Sequence, residues 1–173
     1  MLIKTAIGQD SHRFAIQHEI CGTRNFTVPE PAPRPLLLGG VEFLGEPPLL
    51  GNSDADVVLH ALCNAISGVT GVNILGAEAD RLCFEEGIKD SAIYVKEALK
   101  YLEGASISHV SFSIECAKPA ISPQIMDMRN SIAGIIGIDT SAVCITATSG
   151  EGLTDFGRGL GIQVLCVITV AYS

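Results

Sequence analysis

The spacing of apolar positions switches repeatedly between the period of a strand and that of a helix, and the switches mark out the elements. Leu2 to Gly8 reads as a short strand leading into Gln9-Asp10-Ser11-His12-Arg13-Phe14. Leu36 to Phe43 reads as another, with the turn pair Gly39-Gly40 inside it. Between them, Ala15 to Pro35 holds four of the eight prolines (Pro29, Pro31, Pro33, Pro35), which predicts an extended surface insertion. Val58, Leu62, Ala65, Ile66 and Val69 then recur at helical spacing behind Ser53, a candidate N-cap, with Asp54 and Asp56 in the first turn. Asp56, His60 and Asn64 follow at i, i+4 and i+8, which predicts a wet polar line along that helix, with Asp56 one turn back placed to hold the other ring nitrogen of His60.

A second helix is expected from Asp90 to Leu102, started by the Asp-Ser pair and closed by Gly104. From Ser108 to Cys116 the period drops to two. Val110, Phe112 and Ile114 point one way and His109, Ser111, Ser113 and Glu115 the other, as in a half-buried strand. Pro123 suits the start of a third helix running to about Ile136. Val143 to Ser149 and Ile162 to Tyr172 are rich in β-branched residues and read as two further strands, joined by a loop with Gly150, Gly152, Gly157 and Gly159. Strands and helices interleave without a regular βαβ rhythm. The expected architecture is a single α/β domain of the α+β type over residues 1–173, with a mixed β-sheet covered by helices on one face and open to a partner on the other.

Composition sharpens that last point. The chain is 47% apolar and 17% charged, against about 25% charged in typical soluble domains. The apolar surplus needs an interface or a membrane. The most apolar stretch, Gly159 to Ser173, has 15 residues, short of the roughly 20 that span a bilayer. The segment Met1 to Gly8 has no signal- or transit-peptide pattern, so a cytoplasmic protein with no membrane partner is expected. A net charge of −8 argues against nucleic acid as a partner. Six cysteines without a Cys-x-x-Cys pair read as free thiols.

Two features carry candidate chemistry. Asp10 and His12 stand two apart in an extended segment, so both side chains point the same way and can share one ion. Catalytic zinc uses three protein ligands, and His60, on the polar line of the first helix, is the candidate third; the alternative is an ordinary solvated histidine. The second feature is Thr146 to Gly159, a strand running into a glycine-containing loop. Thr148, Ser149 and backbone N–H groups could take phosphate oxygens there, with Arg158 as a cationic clamp and Glu151 holding Mg2+ against the phosphates. The alternative is a glycine-rich hairpin loop with a solvated arginine.

Taken together, GQDSHRF, LLLGG, NSDADVVLHAL, ECAKPAISP and ATSGEGLTDFGRGLGI resemble, in order, the motifs of the 2-C-methyl-D-erythritol 2,4-cyclodiphosphate synthase family. The resemblance spans nearly the whole chain apart from the insertion Ala15 to Pro35. It implies a mixed sheet with helices on one face, and a homotrimer with active sites between subunits. It also implies a reaction in which the 2-phosphate of 4-diphosphocytidyl-2-C-methyl-D-erythritol 2-phosphate attacks the β-phosphorus, expelling CMP in a step of non-mevalonate isoprenoid biosynthesis. Asp10, His12 and His60 match the family's zinc ligands, and Glu151 its ligand for a second divalent cation, Mg2+ or Mn2+. Asn52 and Ser149 match catalytic positions. Ser53, Thr148, Gly150, Asp155 and Arg158 match substrate positions about the phosphates, and the segment Cys116, Ala117, Lys118, Pro119, Ala120, Ile121, Ser122 matches the one enclosing the cytosine. Asp80 matches an aspartate near the erythritol hydroxyls.

The chain departs from the family pattern at several points. Asn52 stands where a histidine is usual, Asn64 and Asn73 where aspartates are, Gly152 where a lysine is and Leu160 where a glutamate is common. The metal positions are kept, so an active enzyme with altered pocket electrostatics is expected. A zinc phosphohydrolase and a non-catalytic trimeric module binding isoprenoid diphosphates are the competing readings. With so anionic a substrate, the acidic chain needs local cations: two metals, Arg158 and Lys118.

Overall fold

The computed structural model describes residues 2–15 and 34–172. In chain order the elements are β1 (Leu2–Arg13), β2 (Leu36–Leu38), β3 (Val41–Phe43), α1 (Val57–Thr70), α2 (Ala77–Phe84), α3 (Ser91–Leu99), β4 (Ala105–Glu115), α4 (Ile125–Ile136), β5 (Val143–Thr148) and β6 (Gly161–Tyr172). The main sheet runs β1-β6-β4-β5, and β2 and β3 form a separate hairpin. β6 is antiparallel to both β1 and β4, while β4 and β5 are parallel, so the sheet is mixed as its interleaved elements predicted.

One face of the sheet is the core. On β6, Ile162, Val164, Cys166, Ile168 and Val170 are fully buried, level with Val110, Phe112 and Ile114 of β4 and Val143 of β5. α1 lies across β1 and β6 on this face, its Ala61, Ala65 and Gly68 against β1, and adds the buried Leu59, Leu62 and Ile66 to the core. Each such side chain removed from water contributes about 1.5–3 kcal/mol, which is why this layer fixes the register of the sheet. On the opposite face, Ile3 and Ile7 of β1 and Leu165 and Val167 of β6 stay exposed, Ile7 at 64%. Ile7 and Val167 are direct cross-strand partners and Leu165 follows Val167 on the same face, so these three exposed side chains adjoin, with Ile3 beyond Thr5.

Several sequence expectations are corrected here. The first strand does not stop at Gly8; pairing continues from Gln9 opposite Leu165 to Arg13 opposite Gly161. Asp10 and His12 therefore lie on a strand, facing α1. The stretch Leu36 to Phe43 is a hairpin rather than one strand, because Gly39 and Gly40 take left-handed φ of 61° and 76°. The N-cap of α1 is Asp56 rather than Ser53: its carboxylate accepts from the N–H groups of Val58 and Leu59. It also accepts from Gly39 N at 2.9 Å and Gly40 N at 2.7 Å, which ties the hairpin turn to the helix. The predicted wet line is not wet, since Asp56 and His60 are buried and Asn64 donates to the Gln9 carbonyl of β1. α2 carried no sequence signal, because its entry residue Gly76 offers no side-chain cap. α3 ends at Leu99, three positions before its expected end at Leu102, and α4 begins at Ile125 behind a short 3-10 turn over Ser122–Gln124. Most of the expected insertion, residues 16–33, lies outside the described residues.

Candidate active site

The site begins with a contact that only glycine permits. A Cβ on Gly8 would collide with the carbonyl oxygen of Ala61 and the backbone N of Ala65, so α1 rests directly on the backbone of β1. This approach brings His60, one residue before Ala61, over the Asp10 and His12 side chains. Asp10 Oδ2 lies 3.0 Å from His12 Nε2 and 3.0 Å from His60 Nδ1, and the two ring nitrogens are 3.3 Å apart. Burial of Asp10 pushes its carboxyl up, but hydrogen bonds and charge from His12 and His60 outweigh that and hold it well below the ordinary carboxylate range.

The other ring nitrogen of His60 does not meet Asp56, as sequence spacing had suggested. Asp56 is turned away into the helix cap, where burial raises its carboxyl and the N–H donors of Gly40, Leu59 and Gly39 pull against the rise without cancelling it. His60 Nε2 instead lies 2.9 Å from the Ser91 hydroxyl and 3.4 Å from that of Ser53. Ser53 is therefore buried beside the metal-ligand candidates. Asn52, next to it, is exposed, and its carbonyl oxygen accepts from the Cys83 thiol at 3.4 Å. Sequence reasoning missed Ser91 altogether, having read Asp90-Ser91 only as a helix start.

The second cluster follows β5. Thr148 is exposed and its hydroxyl accepts from Gly150 N at 3.2 Å; the Ser149 hydroxyl donates to Glu151 at 3.1 Å. Glu151 adopts φ 51° and, with Ala55 at 58°, is one of two non-glycine residues with positive φ among the described residues. Such a conformation costs on the order of 1–2 kcal/mol, and both strained residues flank the candidate site. Arg158 pairs with Asp155 at 2.6 Å. The segment Cys116 to Ser122 lies against this loop: Cys116 N donates to Thr148 O at 3.1 Å and Ala117 N to Phe156 O at 3.0 Å. Burial, with Glu115 and Glu46 nearby, pushes the Cys116 thiol up to about 11, so it is not poised as a nucleophile. Ala117, Lys118 and Arg158, with Phe14, Glu46, Pro47 and Gly159, line a cleft of about 400 Å3. Asp80 is exposed on α2.

The triad fits a metal ion. Around a tetrahedral zinc with ligands at about 2.0–2.1 Å, ligand atoms lie about 3.3 Å apart, close to the 3.0, 3.0 and 3.3 Å found here. The side chains of His12 and His60 are 22% and 11% exposed, so one side stays open for a further ligand. Among the described residues, this is the one group of His, Cys, Asp and Glu whose ligand atoms converge in this way.

Comparison with known proteins identifies the family. The model of the YgbB family matches residues 3–171. The 2-C-methyl-D-erythritol 2,4-cyclodiphosphate synthase of Chlamydia muridarum is 47% identical over 170 residues, covering 98% of this chain and 88% of that protein. The synthase of the same name from Chlamydia caviae is 46% identical over 171 residues, covering 98% and 90%. Among solved structures, the bifunctional IspDF of Campylobacter jejuni superposes with a TM-score of 0.79 at 27% identity, over 99% of this chain and 43% of that larger one. A CDP complex of Plasmodium falciparum IspF, at 23% identity and a TM-score of 0.76, has the same fold over 99% of this chain and 97% of that one. With a ligand triad built on β1 and α1 and this relationship over almost its full length, the chain belongs to the YgbB family, the family of the 2-C-methyl-D-erythritol 2,4-cyclodiphosphate synthases.

Proposed function

We propose that this protein converts 4-diphosphocytidyl-2-C-methyl-D-erythritol 2-phosphate into 2-C-methyl-D-erythritol 2,4-cyclodiphosphate and CMP, as a phosphorus–oxygen lyase of non-mevalonate isoprenoid biosynthesis. The observation that carries this reading is the convergence of Asp10, His12 and His60 in a chain 47% identical to a synthase of that name. An oxygen of the substrate's 2-phosphate forms a bond to the β-phosphorus while the bond from that phosphorus to the CMP oxygen breaks, and CMP leaves with the electron pair. No protein nucleophile is needed, and folding the substrate makes the attack intramolecular.

Asp10, His12 and His60 would hold zinc, and Glu151 would hold Mg2+ or Mn2+ together with substrate oxygens, since one carboxylate alone leaves most of that ion's coordination to the ligand. These ions, when bound, supply charge neutralisation at the phosphates. The Thr148 hydroxyl donates to a phosphate oxygen, and the Ser149 hydroxyl and Gly150 N–H exchange their partners Glu151 and Thr148 for phosphate oxygens when substrate binds. Ser53 lends its backbone at the same phosphates, because its hydroxyl is turned to His60. Asn52 donates a neutral amide where the family pattern has histidine. Arg158 adds a cation at the rim, oriented by its pair with Asp155. Cys116 to Ser122 enclose the cytosine, and Asp80 takes the erythritol hydroxyls.

We further propose a homotrimer with sites between subunits. Asp10 lies on the edge strand β1, and the register Asp10, Val164, Ile114, Ala147 leads across the sheet to the other edge, β5, where Thr148 to Glu151 begin. Three strand spacings, about 14 Å, separate Asp10 from Ala147, the residue before Thr148, in one chain, farther apart than the phosphorus atoms of one diphosphate; only the far end of the loop, at Asp155 and Phe156, comes back beside His12. A neighbouring subunit's β5 edge meeting the β1 edge closes that gap, and the open apolar face supports such packing. The five free thiols among the described residues fit a cytoplasmic location, and no described helix is long and apolar enough to cross a membrane. Incubation with the diphosphocytidyl substrate should give CMP and a cyclic diphosphate by phosphorus NMR, abolished by a chelator and restored by zinc with Mg2+. Inorganic phosphate as product would support a phosphohydrolase instead, and no turnover would support a binding module.

A further inference from the structure

Ser91, the first residue of α3, is fully buried, and it reaches His60 from the side opposite the triad. Its backbone N–H donates to Asp54 Oδ2 at 2.9 Å, its hydroxyl donates to Asp54 Oδ1, and the same hydroxyl oxygen lies 2.9 Å from His60 Nε2. The directions of these bonds follow from donor counting. An ionised carboxylate only accepts, so the single Ser91 hydroxyl hydrogen is committed to Asp54. Toward His60 the Ser91 oxygen can then only accept, and Nε2 must carry a hydrogen. In the neutral ring this leaves Nδ1 bare, and Nδ1 is the atom that faces Asp10 and His12. The Ser53 hydroxyl oxygen, 3.4 Å from Nε2 and accepting from Ala55 N, adds a weaker contact on the same side. Asp54 is itself anchored: its N–H donates to Lys89 O at 2.9 Å, and Oδ1 also accepts from Asp56 N. The Arg34 guanidinium holds the carbonyls of Leu49, Gly51 and Ser53 beside it.

We propose that Asp54 and Ser91 are positioning residues that fix the tautomer and orientation of His60, presenting Nδ1 as a metal ligand. The inference rests on the metal reading above and adds to it the residues that prepare one ligand. Neither residue touches substrate; both act through the imidazole. Partners of this kind behind a metal-bound histidine typically matter by about 10- to 100-fold in metal affinity.

The test measures zinc affinity, by competition with a chelator of known affinity, on the full chain and on Ser91→Ala, Ser91→Thr and Asp54→Asn, with the thermal midpoint of each metal-free protein as control. Ser91→Ala should bind zinc about 10- to 100-fold more weakly and alter the visible spectrum of the cobalt form, whereas Ser91→Thr, which keeps the hydroxyl, should return toward the parent. Equal affinity of Ser91→Ala and parent, within twofold, would overturn the positioning role while leaving the metal site standing. A parent that binds no zinc would remove the metal reading and this inference with it. Nitrogen-15 NMR of the zinc-loaded parent needs no variant: His60 should show a hydrogen on Nε2 and metal on Nδ1, and the reverse pattern overturns the proposal.

Discussion

Asp10 is the residue on which the two imidazoles converge, and its protonation couples the site to the stability of the fold. Its folded-state carboxyl lies below the ordinary value of about 3.9. The folded state therefore favours the carboxylate, and the stability this contributes is present above about pH 4 and lost as pH falls through the depressed folded value. Urea midpoints of the metal-free parent and of Asp10→Asn should differ at pH 6 and converge on acidification; a difference that grows toward pH 3 would contradict this. At this scale the sequence was half legible. Asp10 and His12 announce themselves because strand alternation is local and needs no knowledge of the fold. The partner of His60 was misassigned to Asp56 because helix spacing brings the two together on paper, while the real partner, Ser91, stands 31 positions away and meets it only through tertiary packing.

Among the elements, the junction of α1 with β1 decides whether the triad exists. Gly8→Ala forces the helix off the strand, since the obstructing atoms are backbone and cannot swing aside. We expect a loss of about 1–3 kcal/mol, the usual range for overpacking, with weakened zinc binding that chelator competition would detect. Asp56→Ala removes the acceptor of four backbone N–H groups, two in α1 and two in the β2–β3 turn. The expected cost is about 2–3 kcal/mol, above the roughly 1 kcal/mol of an ordinary cap because the buried Gly39 N–H is orphaned as well, while the exposed Gly40 N–H can turn to water; chemical denaturation would measure it. Elements with strong periodicity, such as β4 with Val110, Phe112 and Ile114 inward, were legible in advance. α2 was not, for it is short, polar and held only by its surroundings.

For the molecule as a whole, the apolar surplus of the composition is accounted for by two surfaces. One is the core; the other is the face carrying Ile3, Ile7, Leu165 and Val167, which no described residue covers. If three copies share that face, sedimentation at micromolar concentration should give about three times the chain mass of 18.2 kDa, and Val167→Glu should shift the protein toward monomer with loss of turnover. A monomeric parent would refute the assembly.

The separation of the two clusters onto opposite edges of one sheet has a genetic consequence. A His12→Ala chain lacks the triad but keeps an intact Thr148 to Glu151 loop, and a Glu151→Ala chain has the reverse defect. Each alone should be inactive. If the proposed trimer forms, the two chains dissociated and reassembled together in equal amounts should give mixed trimers in which about a quarter of the sites draw both halves from unmutated segments, so two dead proteins would complement one another in a single tube, and no recovery of turnover would refute sites shared between subunits.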